Sequence, residues 1–135
     1  MKLRIDNNNM RFRIDGEGLL NLSRQQHLQC QTKIPQQDGA IALFEYDVVV
    51  DPAATAADIR IAPFGIHLIL SPADFAQLND PARESVSFQR EWKNETGQMD
   101  SLKVCLEKDR MQRRKPAEGY KKTGKLPSSE TEITR

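Results

Sequence analysis

Apolar and polar residues alternate along most of the first 109 positions, a two-residue period that is typical of strands with one buried face. The alternation runs through eight segments: KLRID, MRFRI, HLQCQTKI, AIALFEYDVVV, ADIRIA, GIHLILS, SVSFQREW and MDSLKVCLEK. Turn-forming residues join these segments in pairs, at DNNN, PQQDG, Pro63 and NETGQ. The pattern therefore predicts eight strands in four hairpins.

Two segments break the alternation and carry signals for the start of a helix. GEGLLNLSRQQ follows Asp15, which is a suitable N-cap residue. SPADFAQL places Ser71 at the N-cap and Pro72 at the first helical position, and Asp74 completes a capping box. The predicted order is β-β-α-β-β, and it occurs twice.

The two halves match when one is shifted along the other. A shift of 56 positions aligns Leu3, Ile5, Met10, Phe12, Ile14 and Leu22 with Ile59, Ile61, Ile66, Leu68, Leu70 and Leu78. A shift of 58 aligns Phe44, Tyr46 and Val48 with Leu102, Val104 and Leu106. We therefore predict an α+β fold in one domain, residues 1–109, with pseudo-repeats at about 1–51 and 57–109. We expect the tandem repeat to form a mostly antiparallel sheet or a partly closed barrel, with two short helices on one face.

The parity of each strand assigns its side chains to two faces. The face predicted to pack under the helices carries Leu3, Ile5, Met10, Phe12, Ile14, Phe44, Tyr46, Val48, Ile61, Leu68, Val86, Phe88, Trp92, Val104 and Leu106. The opposite face carries Lys2, Arg4, Arg11, Arg13, Glu45, Asp47, Arg60, His67, Glu91, Lys93, Lys103 and Glu107.

Charge is distributed unevenly along the 135 residues, although the formal net charge is only +1. Residues 1–109 hold 12 Lys+Arg and 16 Asp+Glu, which gives −4, whereas residues 110–135 hold 8 and 3, which gives +5. The second segment has no apolar periodicity, so a disordered basic tail is predicted there. Nucleic acid is a possible partner only through the basic run at 110–125.

The remaining composition excludes several classes of protein. The apolar runs are far shorter than the roughly 20 residues that a membrane-spanning helix requires. Two cysteines without a CxxC or Cys/His spacing argue against a zinc site and favour a cytoplasmic protein. Phosphate-loop, dinucleotide-binding and zinc-protease motifs are missing from the sequence. No cofactor, metal site or catalytic residue is therefore predicted, and His27 and His67 are interpreted as structural.

Four cations gather on the first hairpin, where the apolar register forces them onto one face. The predicted anion-binding residues are Lys2, Arg4, Arg11, Arg13 and Arg60, and the predicted charge partners are Glu45, Asp47, Glu91 and Glu107. Like charges on neighbouring strands are unfavourable, so either carboxylates or a bound anion must relieve them. A solvated sheet face is the simpler alternative, because exposed ion pairs contribute little to stability.

The opening MKLRIDNNNMRFRID and the late run LKVCLEKD resemble an uncharacterised group of small bacterial proteins, a domain of unknown function. Members of that group begin with a basic hairpin and close on Val-Glu-Lys-Asp, which Leu106, Glu107, Lys108 and Asp109 match with Leu in place of Val. The group ends in an aromatic residue and an acidic tail, whereas this chain has Arg110 and a basic one. The resemblance implies a shared fold and no activity.

A looser architectural resemblance is to triphosphate tunnel proteins, in which two related halves close a barrel around a charged lumen. Their first strand carries Glu-x-Glu-x-Lys, whereas this chain has Lys2, Arg4 and Asp6 there, nearly the reverse charge order. The sequence thus favours a non-enzymatic binding or interaction module with a charged sheet face and a possible anionic or protein partner. The alternative is a polyphosphate-binding phosphohydrolase or sensor, which requires the charged residues to face inward.

Overall fold

The computed structural model describes residues 1–109 and shows eight strands and two helices. The strands are β1 (Lys2–Asp6), β2 (Asn9–Ile14), β3 (His27–Pro35), β4 (Ile41–Val50), β5 (Asp58–Ala62), β6 (Gly65–Leu70), β7 (Ser85–Lys93) and β8 (Met99–Lys108). The helices are α1 (Gly16–Gln25) and α2 (Pro72–Asn79). The tail predicted at 110–135 lies outside these residues, as does the nucleic-acid contact predicted for 110–125.

The tandem β-β-α-β-β order is confirmed. The bounds of β1 and β2 fall on those of β5 and β6 after a shift of 56, and the bounds of β3 and β4 fall on those of β7 and β8 after a shift of 58.

Two local features that the sequence indicated, a hairpin turn and a helix cap, are present in the structure. Asn7 and Asn8 both adopt positive φ, 39° and 64°, as a two-residue hairpin turn between twisted strands requires. Ser71 and Asp74 form the reciprocal capping box of α2.

The strands form two four-stranded sheets, because each half exchanges one hairpin with the other. The first sheet has the order β1-β2-β8-β7, and the second has the order β3-β4-β6-β5. All neighbours are antiparallel except the central pairs β2–β8 and β4–β6, which are parallel. The mostly antiparallel α+β prediction is therefore correct, and the strands within residues 1–109 do not close into a barrel.

The two sheets and both helices share one apolar core. It is built from Met10, Phe12, Ile14, Leu22, Val48, Val50, Ala57, Ile66, Leu68, Leu70, Leu78, Val104 and Leu106. Each helix contributes one completely buried leucine, Leu22 or Leu78, and these two residues are 56 positions apart. Burial of this apolar surface is the main stabilising contribution to the fold.

Three residues predicted to be inward-facing are exposed instead. Ile5 and Ile61 are 59% and 72% exposed. Each lies near the end of an edge strand, β1 or β5, just before the hairpin turn that follows it. Trp92 lies near the tip of the β7–β8 hairpin, which extends past the end of β2 at the Asn9–Lys103 pair. Strand parity identifies a face, but it does not show whether a neighbour covers that face. Neither helix within residues 1–109 is long and apolar enough to cross a membrane.

Candidate functional site

Four cations and one carboxylate lie together on the outer face of the first sheet, and we call these five residues the basic face. Lys2 and Arg4 extend from β1, Arg11 and Arg13 from β2, and Glu107 from β8. The backbone register places Lys2 opposite Arg13 and Arg4 opposite Arg11. Both cross-strand pairs therefore carry like charges, an arrangement that is unfavourable by itself.

Glu107 is the carboxylate that relieves part of this repulsion. Its Oε1 atom accepts hydrogen bonds from Arg11 Nη2 at 2.9 Å and from Arg13 Nε and Nη2 at 3.1 and 2.9 Å. Its Oε2 atom accepts a further bond from Arg11 Nη2 at 3.2 Å. The parallel pairing of β2 with β8 sets this geometry, since it places Arg13 directly opposite Glu107.

Burial and these ion pairs shift the pKa values of two side chains on β8, Glu107 and Cys105. Partial burial raises the pKa of Glu107, but hydrogen bonding and charge from Arg13 and Arg11 outweigh it and hold the pKa below its ordinary value. Burial raises the pKa of the nearby Cys105 thiol, and the charge of Glu107 raises it further. The lowered pKa keeps Glu107 ionised at neutral pH, whereas the raised pKa keeps Cys105 in its less reactive thiol form.

Two cations of the basic face have little internal compensation. The only salt bridge of Arg4 within residues 1–109 is a long one of 3.8 Å to Asp6 on the same strand, and its side chain is 71% exposed. Lys2 has no salt bridge to any residue in that range. The four cations less the carboxylates of Glu107 and Asp6 leave a formal charge of +2. The five residues of the basic face, together with Leu3, line a surface pocket of about 260 Å³.

The other predicted site residues, one anion-binding cation and three charge partners, lie away from the basic face. Arg60, Glu45 and Asp47 belong to the second sheet, because β4 and β5 pair only within that sheet. Glu91 is on β7 opposite Ser101, beyond the end of β2 and two strands away from it. The prediction treated all outward residues as one surface, whereas the exchanged hairpins produce two.

On the second sheet, Asp47 forms a cluster with two histidines. Its Oδ2 atom lies 2.8 Å from His27 Nε2 and its Oδ1 atom lies 2.6 Å from His67 Nδ1. Asp47 is only 5% exposed, whereas the His27 and His67 side chains are 44% and 33% exposed. The carboxylate thus links β3, β4 and β6 across the sheet, with each imidazole donating one N–H bond.

Sequence reasoning grouped Asp47 and His67 on one face but did not identify this cluster. The available signal was their shared outward parity within strands that are otherwise apolar, IALFEYDVVV and GIHLIL. The missing information was that β4 lies parallel to β6, with Asp47 opposite His67. In residues 1–109, no group of three or more His, Cys, Asp or Glu residues is arranged to hold a metal ion.

The geometry that the tunnel alternative requires is not found in residues 1–109. The surface between the two sheets carries apolar core residues such as Phe12, Val48, Leu68 and Val104, all at most 1% exposed. Arg4, by contrast, is on the outer surface of the first sheet. The charged residues therefore surround an apolar interior and do not line a lumen.

The comparisons with known proteins add a family and no activity. A model described as a family of unknown function (DUF7009) matches residues 1–119. Searches of curated proteins and of solved structures find no match.

Proposed function

We propose a function from the geometry, because the chain belongs to the family of unknown function DUF7009, which brings no activity with it. In this proposal the protein is a non-enzymatic binding module, and its basic face binds an anionic group of a partner molecule. The observation that carries the proposal is the pocket of about 260 Å³ in which four cations meet a single carboxylate.

The charge balance of the pocket supports a ligand. Like charges on directly opposed strand positions reduce stability, and Lys2–Arg13 and Arg4–Arg11 are two such pairs side by side. Glu107 binds the two arginines of β2 and leaves Lys2 and Arg4 of β1 available. A planar guanidinium donates through several N–H groups at once, so it suits carboxylate and phosphate oxygens equally. An anion on this side would offset the remaining positive charge.

Thermal melting in the presence of an anion tests the proposal, because a ligand of the native state must raise the midpoint. The probe is sodium tripolyphosphate at millimolar concentration, with sodium chloride at matched ionic strength as the reference. We expect a rise for the natural chain and none for a Lys2→Gln/Arg4→Gln variant. Arg60→Gln is the matched control, since Arg60 occupies the position of Arg4 in the second half, and it should keep the full rise.

Two results would contradict the proposal. One is a midpoint that does not move in tripolyphosphate. The other is a rise of the same size in the Lys2→Gln/Arg4→Gln variant, which would place the anion elsewhere on the protein.

A further inference from the structure

The strand that carries Lys2 and Arg4 has an open edge. β1 is the first strand of its sheet and pairs only with β2 within residues 1–109. The residue before β1 is hydrogen-bonded to the second sheet: the Met1 carbonyl accepts from Tyr46 Oη at 3.2 Å and from Cys30 Sγ at 3.7 Å. Among residues 1–109, no hydrogen bond joins the backbone of Lys2–Asp6 to the second sheet. An edge strand in this state offers unpaired backbone groups to another strand.

An exposed apolar side chain accompanies this edge. Ile5 has the inward parity of Leu3, yet it is 59% exposed, because no neighbouring strand covers the end of β1. The outward residues of the same strand are the cations Lys2 and Arg4 and, at the turn end, the carboxylate Asp6, which lies 3.8 Å from Arg4. The uncovered edge thus presents positive charge on one side, an apolar residue on the other, and backbone groups between them.

From this combination we infer that the ligand of the basic face is an extended acidic segment of polypeptide that pairs with the edge of β1. This inference rests on the proposed anion-binding function and names its ligand class. Acidic residues at alternate positions of the segment meet the cations of the basic face, and the apolar residue between them packs toward Ile5.

The spacing of the cations supports an extended ligand. Lys2 and Arg4 are two residues apart on one strand, as are Arg11 and Arg13 on the next. In a strand this separation is about 6.8 Å along the chain, with both side chains on the same face. An added strand with acidic residues at positions i and i+2 has the same spacing. Backbone pairing would provide affinity and the charged side chains would provide selectivity, as in other cases of strand addition.

A small phosphate explains less of what is observed. It would engage the cations, but it would leave the open backbone edge and the exposed Ile5 without a role.

The equivalent edge of the second sheet, β5, differs from that of β1 in its contacts and in its charge. Its Asp58 accepts a hydrogen bond from Arg90 Nη2 at 2.8 Å, and the same nitrogen donates to the Ala57 carbonyl at 2.8 Å. The basic row is also incomplete there, because Ile69 occupies the position of Arg13.

Fluorescence polarisation with labelled peptides and the full chain tests the inference. The probe is Glu-Val-Glu-Val-Glu, and its control is the rearranged Glu-Glu-Glu-Val-Val, which has the same charge and composition. A second control carries backbone N-methyl groups at the valines, which block strand pairing and keep the charge. We expect the alternating peptide to bind at least about tenfold more tightly than either control, and the binding to weaken in salt.

Matched variants locate the site. Ile5→Asn should weaken the alternating peptide several-fold, whereas Ile61→Asn, the equivalent position on β5, should not. Both side chains are largely exposed, so neither change should prevent folding. Arg4→Gln should weaken the binding of all three peptides, and Arg60→Gln should leave it unchanged.

The outcomes separate this inference from the proposed function. Equal binding of the three peptides, reduced by Arg4→Gln, would overturn the added strand and retain an anion site. Tighter binding of a labelled single-stranded oligonucleotide than of any peptide would also overturn the acidic segment. If no peptide binds and tripolyphosphate does not raise the melting midpoint, both proposals are wrong.

Discussion

Replacement of Asp47 by alanine tests whether the buried carboxylate holds the second sheet together. The change removes the acceptor of two hydrogen bonds, 2.8 Å from His27 Nε2 and 2.6 Å from His67 Nδ1. A hydrogen bond to a carboxylate contributes about 1.5–3 kcal/mol to stability. The destabilisation from losing two would exceed this range if both donors were shielded from water. The imidazoles are 44% and 33% exposed, so water replaces part of what is lost. We therefore expect the free energy of unfolding to fall by about 1–3 kcal/mol.

Urea unfolding at neutral pH, followed by the fluorescence of Trp92, measures this loss. In a parallel thermal melt the midpoint should fall by about 4–24 °C, because a domain of this size shifts by about 4–8 °C for each kcal/mol. Asp47→Asn should cost less, since the amide oxygen keeps one acceptor and the volume is conserved. Glu45→Ala is the matched control: Glu45 lies on the same strand and face, and it accepts from Gln31 at 2.7 Å between exposed groups.

Asp47 does not hold the sheet together if Asp47→Ala lowers the free energy of unfolding no more than Glu45→Ala does. That result would mean that water satisfies both imidazoles as well as the carboxylate does. It would also remove the cluster from the interactions that join β3, β4 and β6.

Three further predictions concern the strands that carry and support the two faces. Gly65→Ala should lower the melting midpoint, because the new Cβ would lie 2.8 Å from the backbone oxygen of Glu45 and force β4 and β6 apart. Glu107→Gln should flatten the acid limb of a melting curve measured against pH. The depressed folded-state pKa of Glu107 provides stability that is present above the ordinary pKa near 4.3 and lost as the pH falls through the folded value. Cys105 should react with iodoacetamide at pH 7.5 more slowly than a free thiol of ordinary pKa, measured in a Cys30→Ser background; a faster reaction would contradict its raised pKa.

Features that depend on neighbours in sequence were predictable. The period of two gave the strands, and the turn at Asn7 and Asn8 fixes the register that puts Arg4 opposite Arg11. The capping box at Ser71 marks the start of α2 in the same way. Each of these features is decided within a few residues, so the sequence contains the information directly.

The choice of partners between hairpins was not predictable in the same way. Alternation of apolar and polar residues shows which face of a strand is apolar, but it does not show which other strand pairs with that strand. Four carboxylates therefore stood as equal candidates for the arginines, although only Glu107 contacts them. The contact between Arg11 and Glu107 spans 96 positions and depends on the parallel pairing of β2 with β8. The bond between His27 and Asp47 likewise needed the register of β3 on β4.

The exchange of hairpins also explains why the two sheets differ in what they offer to a ligand. The repeat makes the sheets equivalent, so each outer face has a matching row across its four strands. These rows are Arg4, Arg11, Cys105 and Ser87 on the first sheet, and Arg60, His67, Asp47 and Gln29 on the second. In the second row, a histidine faces a carboxylate directly, and the two groups satisfy each other. In the first row, arginine faces a cysteine, and the nearest carboxylate, Glu107, is shared between two guanidiniums. Equivalent positions thus produce an internally paired surface on one sheet and an excess of positive charge on the other, which is why we assign the ligand to the first.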